Sequence, residues 1–312
     1  MKSILAFGEI LWDLLPDRTV LGGAVFNLGF RLQTLGNTVF LVSRVGADDL
    51  GRRALTQAAE LGLSVDYIQI DPDHPTGTVP VRLKNGIPDF TITPDVAFDY
   101  IELNEELMNA AASADALVFG TLIQRACVSR ATLRSLVEAA PQAVKFLDIN
   151  LRKNCYTEET VRWSLQAADL LKLNDDEVGE TARLLGLSSV TTIEFAQRMI
   201  TDFAMQCVVV MLGEKGVYAL SAAGNEVYEP GYRVQVVDTV GAGDACAAGF
   251  LHGWLNGESL AHACRLGNAL GALVAATPGA TEKILPQQID ALLGNGAERI
   301  IAPAFKHLIK EL

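Results

Sequence analysis

The chain has no excess of positive charge. Lys and Arg number 25 against 37 Asp and Glu, so the formal net charge is -12 and the pI is near 4.8. A nucleic-acid partner needs a basic face, so the balance argues against one and none is expected. A phosphorylated ligand is not, because a few local donors suffice. Cysteine is sparse and unordered. Its five residues (Cys127, Cys155, Cys207, Cys246, Cys264) are odd in number and show no CxxC or Cys/His spacing. That argues against a disulfide frame or a zinc site and predicts buried thiols in a reducing, cytoplasmic setting. No apolar run reaches membrane-spanning length, so no membrane partner is expected. The opening MKSILAFGEI stops its apolar run at Glu9 and reads as a first strand rather than a leader. The four histidines (His74, His252, His262, His307) form no metal-ligand pattern. His252 and His262 fall on apolar helices and are expected to be packed or partly exposed. G-x-x-x-x-G-K-[ST], H-E-x-x-H and G-x-S-x-G are all missing, as are repeats, linkers and low-complexity stretches.

What is present is a large apolar complement, half of 312 residues, enough for a full core. Short apolar runs alternate with helical patterns along most of the chain. Strands are expected at 3–7, 39–42, 116–119, 144–147, 170–173 and 207–211. Helices are expected within 21–36 and at 50–61, 129–139, 175–185, 192–203, 260–276 and 305–312, with Ser129 as a cap. This alternation predicts an α/β fold with a doubly wound, mostly parallel sheet flanked by helices. Residues 217–220 and 226–237 read as antiparallel edge strands. Residues 77–98 break the rhythm, because Asn85-Gly86 between two strand-like runs signals a hairpin. We expect one domain over 1–312, with a small β lid formed by about 12–21 and 77–98. Asp13 is expected in a loop with Pro16.

The most informative stretch is VDTVGAGDACAAGFLHG, residues 237–253. It opens polar and glycine-rich, then turns small and apolar, as a tight turn feeding a buried helix would. Such a helix start offers backbone N–H groups and a positive dipole end to an anion. Asp244 in the first turn would repel a phosphate unless its task is to accept a proton from a hydroxyl. The plainer alternative is a capped helix with packing glycines. Gly241, Gly243 and Cys246 also imitate a dinucleotide fingerprint, but they come too late in the chain for it. Other polar residues fall at carboxyl ends of expected strands, where open α/β sheets bind ligands. These are Asp13, Asp148, Asn150, Arg152, Asn174 and Glu177. Each could equally be a helix cap.

The string DTVGAGDA resembles the C-terminal signature of the ribokinase-like carbohydrate kinases, the PfkB family, and the resemblance covers nearly the whole chain. Gly22-Gly23-Ala24-Val25-Phe26-Asn27 is similar to the family's N-terminal signature. Asn174-Asp175-Asp176-Glu177 is similar to its N-x-x-E motif, and residues 212–216 (LGEKG) to the loop bordering the nucleotide. Asp148-x-Asn150-x-Arg152 and His74-Pro75-Thr76-Gly77-Thr78 look like fructokinase segments. The resemblance implies a ribokinase-like fold and ATP-dependent phosphorylation of a primary sugar hydroxyl, with fructose going to fructose 6-phosphate. It implies Asp244 as base and Gly241, Ala242 and Gly243 as the anion-binding turn. Asp13, Gly22, Gly23, Asn27 and Arg152 would contact the sugar. Asn174, Lys215, Gly216 and Asn268 would border ATP, and Glu177 would place Mg²⁺ through water. A K⁺ site near Asp238 and a homodimer through the lid are further expectations. Leu21, Val25 and Phe26 depart from the fructokinase pattern PGGAPAN and set a bulky ring near the expected sugar position. A 2-keto-3-deoxygluconate, nucleoside or sugar-phosphate acceptor stays open, with Arg82, Lys84 and Arg152 as cationic partners. So does a non-catalytic sugar or nucleotide sensor on the same fold.

Overall fold

A computed structural model describes residues 1–15, 18–84, 87–294 and 296–309, with the backbone only at 81–84 and 87–90. The chain forms two compact units, Met1–Ala143 and Val144–Leu312.

In the first unit, β1 (Ser3–Phe7) is followed by β2 (Leu11–Leu14), β3 (Thr19–Gly22) and helix α1 (Ala24–Thr34). Then come β4 (Thr38–Gly46), α2 (Asp49–Glu60), β5 (Ile68–Asp71), β6 (Gly77–Lys84) and β7 (Ile87–Phe90). Helix α3 (Glu105–Ser113), β8 (Ala116–Phe119) and α4 (Cys127–Ala139) complete it. Strands β8, β1, β4 and β5 lie side by side in that order, all parallel. Ile4, Leu5, Ala6 and Phe7 of β1 have no exposed surface, as expected of a parallel strand covered on both faces. A separate small sheet has the order β3-β2-β6-β7. Within it β2 pairs antiparallel with β3 and parallel with β6, and β6 pairs antiparallel with β7. Asp48 fastens its base. Its carboxylate accepts the Gly51 N–H at 2.7 Å, capping α2, and the Thr76 N–H and hydroxyl at 2.8 and 2.7 Å.

The second unit opens with β9 (Val144–Asp148), α5 (Glu158–Ala167), β10 (Leu170–Asn174), α6 (Asp175–Leu184), α7 (Thr192–Phe203) and β11 (Cys207–Met211). Next come β12 (Gly216–Ser221), β13 (Glu226–Tyr232), α8 (Ala242–Leu255), α9 (Leu260–Ala275), α10 (Pro286–Leu293) and β14 (Arg299–Ile300). Strands β9, β10 and β11 are parallel, and β12, β13 and β14 continue the sheet antiparallel. Helix α8 packs against α9 and is buried without interruption from Ala245 to Leu251, a run of small and apolar residues.

The doubly wound α/β architecture and the small sheet are therefore as expected, and several local readings change. Asp13 lies in strand β2, which pairs on one side with Val20 of β3 and on the other with Val79 of β6. Ser129 sits inside α4 instead of capping it. Its hydroxyl accepts the Ile101 N–H at 2.8 Å and donates to the Phe98 carbonyl at 2.7 Å. Strand β5 and helix α3 escaped notice, and the expected C-terminal helix is a 3₁₀ turn at Pro303–Leu308. Cys127 is exposed, the other four cysteines are buried, and none of the five forms a disulfide. Pro16 and the Asn85-Gly86 turn lie outside the described residues, as do the side chains of Arg82 and Lys84. Among the described residues no helix is long and apolar enough to cross a membrane.

Candidate active site

In the first unit, the Gly22-Gly23 pair ends β3 and starts α1. Gly23 has φ 117°, and a Cβ there would stand 2.3 Å from the Glu9 carbonyl oxygen, so only glycine fits. The start of α1 is capped from outside, because Glu9 Oε1 accepts the Ala24 N–H at 2.8 Å. Glu9 is buried, and sequence reasoning saw in it only the end of an apolar run. Asp13 stands beside the pair: a Cβ on Gly22 would lie 3.2 Å from Asp13 Oδ2. Asn27 is buried on the first turn of α1. The structure thus gathers Asp13, Gly22 and Gly23, with Asn27 one helical turn on. Phe26 has no exposed surface and belongs to the core, which removes its ring from any open sugar position.

In the second unit, Asn174 and Glu177 form a reciprocal capping box at the start of α6. Asn174 Oδ1 accepts the Glu177 N–H at 2.8 Å, and Glu177 Oε2 accepts the Asn174 N–H at 2.8 Å. The other carboxylate oxygen, Oε1, accepts the Leu151 N–H at 2.9 Å and so fastens the 148–152 segment. Burial raises the Glu177 carboxyl above its usual range, against the pull of the Lys172 ammonium. Asn150 in that segment has φ 38°, a left-handed backbone that costs energy in a non-glycine residue. The Arg152 side chain is exposed.

The 237–253 stretch is a turn feeding a buried helix, as its composition implied. Gly241 is the N-cap of α8 with φ 77°, and no side chain caps the helix. The Ala242 N–H turns back to the Thr239 carbonyl at 3.2 Å. That amide, expected to face an anion, is therefore engaged within the turn itself. Asp244 is half-buried at the third helical position. Asp238 Oδ1 accepts the Val240 N–H at 3.0 Å and Oδ2 the Gly279 N–H at 3.2 Å, so its carboxylate ties this turn to the 277–280 turn.

Lys215 is exposed in a 3₁₀ turn at Gly213–Lys215, and Gly216 follows with φ 99°. The Lys215 carbonyl accepts the Tyr228 hydroxyl at 2.7 Å, and that oxygen accepts the Ala302 N–H at 2.6 Å. Asn268 is buried on α9, and its Nδ2 donates to the Pro230 carbonyl at 2.7 Å. Both expected nucleotide-side residues are thus anchored to β13. Two residues missed in the sequence complete the picture. Tyr228 is one, and Lys172 of β10 is the other, buried and hydrogen-bonded to both Asp148 carboxylate oxygens at 2.8 and 3.0 Å. A charge inside an apolar strand was the available signal for Lys172. Among the described residues no group of three or more His, Cys, Asp and Glu could by itself hold a metal ion.

The chain is similar to a fructokinase of Vibrio alginolyticus, at 27% identity over 94% of this chain and 98% of that protein. It is also similar to an aminoimidazole riboside kinase of Salmonella typhimurium, at 26% identity over 95% and 96% of the two chains. The crystal structure of a Vibrio cholerae fructokinase in fructose, ADP and calcium ion bound form superposes with a TM-score of 0.80 at 25% identity, covering 94% and 99%. The family model for pfkB family carbohydrate kinases matches residues 17–288. With its ribokinase-like α/β fold and its glycine turn opening a buried helix, the chain belongs to the pfkB family of carbohydrate kinases, phosphotransferases with an alcohol group as acceptor.

Proposed function

We propose that this sugar kinase transfers the γ-phosphoryl group of ATP to a primary hydroxyl of fructose. The observation that carries the reading is the start of α8. A half-buried carboxylate, Asp244, stands in the first turn of a helix whose cap, Gly241, has no side chain to occupy the following amides. Asp244 takes the proton of the sugar hydroxyl, whose oxygen attacks the γ-phosphorus. The O–P bond to the β-phosphate breaks, and ADP leaves with that electron pair. Backbone N–H groups of Gly243 and Asp244 hold the phosphoryl oxygens as charge moves. Such transfers ask mainly for positioning and charge stabilisation.

Asp13, Gly22, Gly23 and Asn27 bind sugar hydroxyls in this reading, with Arg152 as a further cationic contact. The small sheet is the lid that closes over the sugar and excludes water. Asn174, Lys215, Gly216 and Asn268 border the nucleotide. Mg²⁺ fits as an ion carried on the phosphates, because the Glu177 oxygens already accept two backbone N–H groups and would reach it through water. When bound, it neutralises charge on the β- and γ-phosphates. A monovalent cation such as K⁺ would take carbonyls of the 238–240 and 277–280 turns, which Asp238 holds together.

Fructose is the finer part of the proposal, supported by the D-x-N-x-R and HPTGT segments and by the fructokinase relatives. The test is product formation from ATP across fructose, other ketoses, aldoses, ribosides and keto-deoxy acids, followed by mass spectrometry. Highest kcat/KM on fructose is the expected result. A riboside or a keto-deoxy acid in that place would overturn the acceptor while leaving the phosphoryl transfer. No product from any acceptor would overturn both.

A further inference from the structure

We propose that Lys172 is a positioning residue for the phosphoryl transfer: held by Asp148, its ammonium sets the charge balance beneath the Gly243–Asp244 turn. The inference rests on the reading of Asp244 as the base.

Lys172 occupies the middle of β10, where its neighbours Leu171 and Leu173 have no exposed surface. Sheet register sets it opposite Asp148 of β9. Its Nζ meets both carboxylate oxygens of Asp148, at 2.8 and 3.0 Å. The same Nζ lies 3.6 Å from where a Cβ on Gly243 would stand, directly against the turn that starts α8. A buried ion pair stabilises a fold no better than well-packed apolar side chains of similar volume, so stability alone gives little reason for it.

The surroundings give another reason. Three carboxylates act on this one ammonium: Asp148 from β9, Glu177 from α6 and Asp244 from α8. Two neutral side chains stand near them. Met211 ends β11 with its Cε also 3.6 Å from the Gly243 Cβ position. The Cys246 thiol of α8 is pushed up to about 12, chiefly by burial. Burial by itself would lower the Lys172 pKa, but the three carboxylates outweigh it and hold the ammonium charged. Without Lys172 the cluster would hold only negative groups, next to the place where a triphosphate has to settle. With it, Asp244 can stay an ionised proton acceptor while the turn above receives an anion.

Acting through Asp244, Lys172 should move the pH dependence of the reaction and not merely the stability of the fold. The experiment is the kcat–pH profile of the full chain with ATP and the acceptor found above, for wild type, Lys172→Met, Asp148→Asn and the double variant. Thermal unfolding of each is followed in parallel. In Lys172→Met the base loses a cationic neighbour, so the acid limb is expected to rise by about one pH unit. In Asp148→Asn the ammonium is less neutralised, and the limb moves to lower pH. The double variant returns towards wild type. A purely structural lysine would lower the melting temperature of both single variants and leave the limb in place. An unmoved limb in Lys172→Met, or a shift of the same sign in both single variants, overturns the inference. If Lys172→Met does not fold, the downward shift in Asp148→Asn decides alone, and its absence overturns the inference. Normal turnover by Asp244→Asn would instead remove the base itself. A limb lost in Asp244→Asn but unmoved in the Lys172 and Asp148 variants would overturn only the role of Lys172.

Discussion

A Cβ placed on Gly241 would stand 2.3 Å from the Cβ of Ala280. The turn that opens α8 therefore packs directly on the 277–280 turn, and Asp238 stitches the two together through the Gly279 N–H. Gly241 also has φ 77°, where an L-residue pays roughly 1–2 kcal/mol. Gly241→Ala should shift the turn and everything it aims. A displacement near 1 Å at a reacting group costs roughly 10²-fold in rate. Steady-state kinetics should show that loss in kcat/KM, alongside a lower melting temperature. Retention of full activity would mean that the turn has no part in the transfer.

Asp244→Asn keeps the volume of the side chain and removes its basicity. The expected loss in kcat is roughly 10²–10⁴-fold, the usual range for a general base. Nucleotide affinity, followed by calorimetry, should change little, since the amides of the turn remain. A variant that turns over near the wild-type rate removes the proposed mechanism.

Acid should loosen the first unit through Asp48 and Asp71. Burial would raise each carboxyl, but donated hydrogen bonds outweigh it: from Thr76 and Gly51 for Asp48, from Asp73 and His74 for Asp71, with the Arg44 guanidinium beside the latter. Both therefore bind protons more weakly folded than unfolded. The stability they add is complete above about pH 3.8 and is lost as pH falls through the lower folded values. Asp48→Asn should flatten this acid dependence and cost about 1–3 kcal/mol at neutral pH, because an amide NH₂ would face the Thr76 N–H. Denaturant titrations between pH 2 and pH 7 check both; an unchanged slope would count against Asp48.

Tyr228→Phe deletes one oxygen and leaves two backbone groups without it, the Lys215 carbonyl and the Ala302 N–H. The ring stays packed against Phe305, at 5.3 Å between centroids. Leaving such groups unsatisfied costs about 1–3 kcal/mol. Chemical denaturation should read that loss, and KM for ATP should rise if the Lys215 turn borders the nucleotide. A change in stability with no change in KM would separate the turn from nucleotide binding.

Much of this was legible beforehand because it is local. The alternation of apolar strands and helices announced the doubly wound sheet. The order of glycines, acid and small apolar residues in 237–253 announced a turn running into a buried helix. Asn174 and Glu177 stand three apart, the spacing of a capping box, and they form one. Other features were hidden because they depend on partners far along the chain. Asp13 reads as a loop residue until β6, sixty-six positions later by the Asp13–Val79 pairing, gives its strand a second neighbour and makes it interior to the small sheet. Ser129 reads as a cap until the Phe98 carbonyl and the Ile101 N–H claim its hydroxyl inside α4. The Glu9 carboxylate becomes a cap only when β1 and α1 meet.

By itself the sequence determined the family, the kind of fold and the turn at Gly241–Asp244, since each is written in short-range patterns of residue type and spacing. Tertiary structure alone decided where the charges stand. Lys172 and Asp148 are 24 residues apart, and only the parallel register of β9 and β10 brings them to 2.8 Å. The physical reason is that residue order settles backbone preference locally, whereas electrostatic partners are chosen by strand pairing, which no short window contains.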